Sequence, residues 1–196
     1  MEKINFIKTF IPQGQYRQTY EYGNMVVYHI NAEYNKEMNA YECYECTLSK
    51  ATFDETKVRS AFAQFSAKMD ALKLEEAKAE KIAEITAYDT SDKVNGFILN
   101  GLLVWIDKAT RVGLMNSTTI SKAAGQKTTT LWLGGLKLVV DCDKAIQLLS
   151  ALEMYALECF NVTASHKAAV GELKTIEDVN VYDYKTGYPK MLEMSV

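Results

Sequence analysis

Nucleophilic, metal-binding or acid–base chemistry would fall to a short list of side chains here: four cysteines (Cys43, Cys46, Cys142, Cys159), two histidines (His29, His166) and a few paired acids. Cys43-Tyr-Glu-Cys46 has the spacing of a zinc knuckle or a redox pair. Its surroundings, Ala40-Tyr-Glu-Cys-Tyr-Glu-Cys-Thr-Leu48, are those of a strand and contain no Gly or Pro to make a turn. Side chains three apart on a strand point to opposite faces, so packing thiols in a reducing setting are expected rather than a shared metal. Cys159 and His166 are seven apart on a helix face, but two turns separate them by roughly 10 Å, beyond the reach of a nucleophile and its base. Asp141-Cys-Asp143 lies where a following helix needs a cap and a dipole partner, and capping is the favoured reading. Arg111 is placed to pair with Asp107 at i, i+4. Spacing does not test a site built from remote residues, such as Asp107, Arg111 and His166 meeting across a core. Trp105 and Trp132 read as core or hairpin-face residues, and Asn161-Val-Thr163, formally a glycosylation sequon, lies inside a helical pattern. No residue is singled out as catalytic, cofactor-binding or metal-ligating, and no cofactor is expected.

The elements that would position these groups centre on a motif written twice. Phe97-Ile-Leu-Asn-Gly-Leu-Leu-Val-Trp-Ile-Asp107 and Leu131-Trp-Leu-Gly-Gly-Leu-Lys-Leu-Val-Val-Asp141 align without a gap. Each places Asn-Gly or Gly-Gly between apolar runs, as a two-residue hairpin turn with positive φ requires, and each ends on an Asp suited to capping a helix. The first copy is followed by one helix or two short ones, with Gly125 as the stop. The second is followed by the strongest helical pattern, with Ala145, Leu149, Leu152, Ala156, Cys159 and Thr163 on one face and Ile146, Leu148, Tyr155 and Phe160 widening it. Leu173–Val181 closes the helical region, and a turn-rich tail follows from Tyr182.

Upstream, residues 1–22 carry turn residues and no sustained period, which suggests an extended arm. Met25–Ile30 and Ala40–Leu48 read as strands of a small meander. Seven of the twelve tyrosines fall from Tyr16 to Tyr44; their rings suit either a protein interface or a half-buried sheet face. Thr52-Phe-Asp-Glu55 is a capping-box pattern. Phe62, Phe65, Met69 and Leu72 then form an apolar stripe that fades into Lys73–Lys81, so the helix is expected to continue as a solvated rod through Ile82 and Ile85, or to lie on its own domain. The expected class is α+β: an N-terminal Tyr-rich β arm over 1–50, a long connecting helix over 51–87, and a C-terminal ββαββα module over 88–196 with two β-hairpins packed on helices.

Composition narrows function further. At 196 residues, 48% apolar and 24% charged, the chain has the make-up of a globular protein with one sizeable core. A net charge of −3 gives no electrostatic reason to expect nucleic acid. No long apolar run predicts a membrane span, and no Gly-x-Gly-x-x-Gly or Walker pattern is present. A soluble, unexported protein is expected.

Val94-Asn-Gly-Phe97, Trp105-Ile-Asp-Lys-Ala-Thr-Arg111, Thr130-Leu-Trp132, Leu149-Ser-Ala-Leu-Glu-Met-Tyr-Ala156, the Cys159–Thr163–His166 spacing and Tyr182-Asp-Tyr184 together resemble an uncharacterised domain family of bacteriophage and prophage proteins, often found beside tail and tail-fibre assembly genes. The likeness covers about residues 88–190. It implies a non-enzymatic virion protein of the tail or tail fibre, present in the host cytoplasm during assembly. Its partners would be other virion or tail proteins and further copies of itself, without nucleic acid or membrane. Two further readings stand beside it: a tail-fibre assembly chaperone absent from the mature particle, and a small enzyme whose site is assembled from distant residues.

Overall fold

The computed structural model describes residues 3–196, and its mixture of strands and helices is of the α+β class. Contacts divide the chain into two units, Met1–Lys73 and Leu74–Val196. That division falls inside the long helix rather than at either of its ends. Each half of the helix shares a core with its own unit.

The first unit is a four-stranded antiparallel sheet with the first part of helix α1. Strands β1 (Ile7–Pro12), β2 (Thr19–Tyr22), β3 (Met25–Asn35) and β4 (Ala40–Ser49) lie in the order β1-β4-β3-β2. The expected arm therefore contains two strands, each added at an edge of the β3–β4 hairpin. On one face Val26, Tyr28 and Ile30 lie opposite Leu48, Cys46 and Tyr44, and α1 (Glu55–Asp89) covers them with Val58 and Phe62. Phe6 packs edge-on to Phe62, with ring centroids 5.1 Å apart. On the other face Tyr16 stacks on Tyr41 at 4.3 Å, and Tyr16 and Tyr20 flank His29. Covering both faces explains the unbroken buried run Val26–Ile30, because alternation is lost when neither face meets water. Cys46 belongs to the helix-side core, while Cys43 is buried on the Tyr16 side, so the two thiols do lie on opposite faces of β4.

The start of α1 differs from the capping-box expectation. Asp54, not Thr52, caps it, its carboxylate accepting from the Lys57 N–H at 3.1 Å. The Thr52 and Phe53 N–H groups are already bonded to the Ser49 carbonyl, in a turn that delays the helix by two residues. Glu55 instead accepts bonds from Tyr28 and Arg59.

The second unit contains the duplicated motif. Strands β5 (Phe97–Leu99) and β6 (Leu102–Val104) form the first hairpin, and β7 (Thr128–Leu133) and β8 (Leu136–Asp141) the second. Their turns match closely: φ is 51° and 80° at Asn100 and Gly101, and 56° and 88° at Gly134 and Gly135. Those are the dihedrals of a type I′ turn, whose twist suits paired strands. Asp107 caps α3 (Lys108–Ala123) and Asp141 caps α4 (Cys142–Glu172), as the motif predicts. Gly125, with φ at 83°, ends α3 in a Schellman arrangement, Gln126 N–H bonding to Ser121 and Gly125 N–H to Lys122.

Helix α4 buries the predicted face, Ala145 through Thr163, in a core with Phe97, Leu99, Leu131 and Leu133. Phe160 does not widen that face; it is 60% exposed. The second half of α1 is not a solvated rod either. Ile85 is fully buried, and Lys78 is buried with Nζ donating to the Gly171 carbonyl at 2.9 Å, at the C-terminal end of α4. The Ala-, Glu- and Lys-rich composition conceals this docking, since lysine stems cover apolar surface while the ammonium serves a helix terminus. Beyond α4 come a short helix α5 (Ile176–Val181), capped by Thr175, and a strand β9 (Leu192–Met194). β9 pairs parallel to β5, giving a sheet of order β6-β5-β9, so the tail ends as a third strand.

Candidate functional site

A small polar cluster joins the quoted motifs of the second unit. The Val94 carbonyl, at the short helix α2 (Asp92–Asn95), accepts the Tyr155 hydroxyl at 2.6 Å and the Cys159 thiol at 3.3 Å. Gly96 follows because any Cβ there would lie 2.0 Å from the Asp92 carbonyl oxygen. One turn further along α4, the Thr163 hydroxyl donates to Asp89 at 2.8 Å and meets the Tyr188 hydroxyl at 3.0 Å. His166 comes next, with Nε2 2.9 Å from the Thr186 carbonyl and Nδ1 2.9 Å from the Tyr182 hydroxyl. A carbonyl only accepts, so Nε2–H donates to Thr186, and in the matching tautomer Nδ1 accepts a hydrogen bond from the Tyr182 hydroxyl. These residues clasp the tail and the α1–α2 corner onto α4. Their spacing serves assembly of the unit.

The histidine thereby stands apart from the other two members of the hypothetical long-range site. Asp107 and Arg111 line a cleft, and His166 does not. Arg111 also does not pair with Asp107. Its Nε donates to Glu153 at 2.9 Å and its Nη1 to the Ile106 carbonyl at 3.1 Å. Asp107 is occupied as the cap, accepting from both the N–H and the hydroxyl of Thr110, and those bonds hold its carboxyl below the usual range.

The cleft, of about 730 Å³, is bounded by the α1–α2 corner, the β6–α3 corner and one side of α4. Its apolar surface comes from Trp105, Ile106, Ala156, Leu157 and Phe160, and its polar groups include Asp89, Asn95, Lys108, Arg111 and Glu153. Its lining sets an aromatic and aliphatic wall beside charged groups of both signs. Sequence reasoning assigned Trp105 to core or hairpin face and Arg111 to a helix pair. Glu153 entered only within the Leu149–Ala156 motif and Leu157 not at all; the available signal was that Leu157 is apolar yet lies off the stripe of Leu149, Leu152, Ala156 and Cys159.

The other reactive groups are quenched. All four cysteines are buried and free. Burial pushes the Cys46 thiol up to about 11 and raises Cys43 and Cys159 in the same way. Burial likewise drives the Tyr155 hydroxyl well above its ordinary value, so it remains a hydrogen-bond donor. His29 is enclosed in the first unit between the Arg17 carbonyl and Glu45. Among the described residues no group of three or more His, Cys, Asp or Glu side chains is placed to hold a metal ion, and no helix is long and apolar enough to cross a membrane.

Fold and cleft together define an α+β protein whose second unit is a pair of capped hairpins on a long helix, with an aromatic cleft at its side. The chain belongs to the family described as a domain of unknown function, DUF4376, whose model matches residues 76–186, more than half its length. No curated protein and no solved structure matches it.

Proposed function

We propose that this is a non-enzymatic bacteriophage structural protein, associated with the tail or tail fibre and acting through protein–protein contacts. The phage context is supported by the sequence resemblance. The observation that carries the contact reading is the pair of open sheet edges in the first unit. Among the described residues β1 and β2 each have one unpaired side, and between them they expose Ile7 (66%), Phe10 (44%), Tyr20 (38%) and Tyr22 (78%). Open edges with apolar and aromatic side chains favour strand addition from another chain. Other virion proteins and further copies of this chain are the proposed partners, and the virion its proposed location after a period in the host cytoplasm.

Light scattering on the full-length protein tests the contact reading. A defined oligomer that dissociates on Ile7→Lys and Tyr22→Lys substitution is expected if copies join through these edges. A monomer that also fails to bind purified tail or fibre proteins would refute it. Mass spectrometry of purified virions separates the two phage readings: a structural component is present in many copies, whereas an assembly chaperone is missing from the mature particle.

A further inference from the structure

The two open edges of the first unit are complementary to one another. In the order β1-β4-β3-β2 every pair of neighbours is antiparallel, so β1 and β2 run in opposite directions at opposite ends of the sheet. A second copy set beside the first, with its helix on the same side of the sheet, therefore brings its β2 antiparallel to β1, and the alternation continues without a break.

The backbone groups that each edge offers are defined. The His29 N–H bonds to the Gln18 carbonyl at 2.8 Å, and the β2–β3 register sets those residues opposite each other. Bonded pairs alternate along an antiparallel ladder, so Tyr20 and Tyr22 turn their backbone groups to β3 and leave those of Thr19 and Glu21 facing outward. At the other edge the Gln13 N–H bonds to the Asn39 carbonyl at 3.2 Å, again in register. By the same rule Ile7, Thr9 and Ile11 face β4, while Lys8, Phe10 and Pro12 face outward. Pro12 has no N–H to give.

Matching outward groups, with all four residues of β2 lying against β1, leaves two registers. One sets Thr19 opposite Pro12 and loses a bond. The other sets Thr19 opposite Phe10, Tyr20 opposite Thr9, Glu21 opposite Lys8 and Tyr22 opposite Ile7. This second register exchanges bonds at Phe10 and Lys8, both of which have an N–H, and it brings together Ile7 and Tyr22, the most exposed large apolar side chains of the two strands. Within one chain Lys8 pairs with Glu42 and Glu21 with Lys50, so joining extends two ion pairs into a row of alternating sign. Pairing β1 with another β1, or β2 with another β2, gains no such match, because each strand has charge of one sign only.

We propose that copies of this chain join head to tail, β2 of one against β1 of the next, with Tyr22 opposite Ile7 and Glu21 opposite Lys8. The contact is heterologous and propagates into a ring or a filament. The inference rests on the protein-contact reading and names a further copy as the partner of both edges.

Disulfide trapping in the full-length protein tests it, since all four native cysteines are buried. Ile7 and Tyr22 form a pair without mutual backbone bonds, the closely spaced kind that a disulfide can span. Under mild oxidation a mixture of Ile7→Cys and Tyr22→Cys chains, one of them ¹⁵N-labelled, should give dimers containing one chain of each kind, well beyond the share that random pairing gives. Lys8→Glu and Glu21→Lys keep both apolar side chains and supply a second reading. By light scattering each alone should self-associate about threefold to tenfold more weakly than wild type, and an equal mixture should recover, because every edge then meets its opposite charge. A wild type that stays monomeric, random or like-with-like disulfide pairing, or no recovery on mixing would each overturn the head-to-tail register. If purified tail or fibre proteins still bind, and Tyr22→Lys abolishes that binding, the contact reading survives such a failure; if nothing binds, both fall.

Discussion

Removing the two donors that share the Val94 carbonyl gives a sharp test of how the second unit is held together. Val94 is 1% exposed and Tyr155 7%, so the 2.6 Å hydroxyl bond between them lies in the core. Tyr155→Phe keeps the ring and deletes that bond. The Cys159 thiol, 3.3 Å from the same oxygen, still serves it, and a loss of about 1 kcal/mol is expected. Cys159→Ala alone removes a buried sulfur and a weak donor, also at about 1 kcal/mol. Combined, the substitutions leave the carbonyl without a side-chain donor away from water, a desolvation penalty of about 1–3 kcal/mol that neither single change incurs. The double variant should therefore exceed the sum of the singles by about 1 kcal/mol or more. Urea unfolding followed by tryptophan fluorescence is the assay, because Trp105 and Trp132 both lie in the second unit and report on it alone. Burial keeps the Tyr155 hydroxyl protonated, so the coupling should be the same from neutral to mildly alkaline pH. Costs that add to within about 0.5 kcal/mol would refute the shared-acceptor argument.

Other consequences can be checked with the same unfolding signal. Asp141 accepts two backbone N–H bonds at the start of α4, so Asp141→Ala should cost about 1 kcal/mol. Asp107 has a carboxyl lowered first by the Thr110 hydroxyl bond. Its stabilisation is thus present above the ordinary carboxylate value, about pH 4, and is lost as pH falls through the depressed one. The gap in melting temperature between wild type and Asp107→Ala should accordingly close in acid; a gap that persists or widens there contradicts this sign. Gly134 has a φ of 56°, and a Cβ would come within 2.9 Å of Val104 Cγ1. Gly134→Ala should destabilise by about 1–2 kcal/mol, and full stability would mean that the Gly134 turn does not lie against Val104. Because the four thiols are buried and those of Cys43, Cys46 and Cys159 are raised by burial, iodoacetamide should label none in the native protein at neutral pH and all four in denaturant. Rapid native labelling would place a cysteine at the surface.

The division between what was legible in the sequence and what was not follows the range of the interactions. Both hairpins, their positive-φ turns, the Asp107 and Asp141 caps and the Gly125 stop were readable, because each is determined by a few adjacent residues and the backbone N–H and C=O groups they satisfy. The buried face of α4 was readable for the same reason, since a 3.6-residue period belongs to the helix itself. The opposite orientation of Cys43 and Cys46 needed only the pleat of a strand. Where a residue had a choice of partners, the tertiary structure decided. Arg111 had an acid one turn away in Asp107, but that carboxylate was committed to the helix terminus, and Glu153 reached the guanidinium from α4. β9 has three residues and no alternation of its own; only the proximity of β5, far back in the chain, makes it a strand. The second half of α1 looked solvated by composition, yet the end of α4 offered its carbonyls to Lys78. The aromatic cleft is the furthest from local reading, since its walls come from three separate segments.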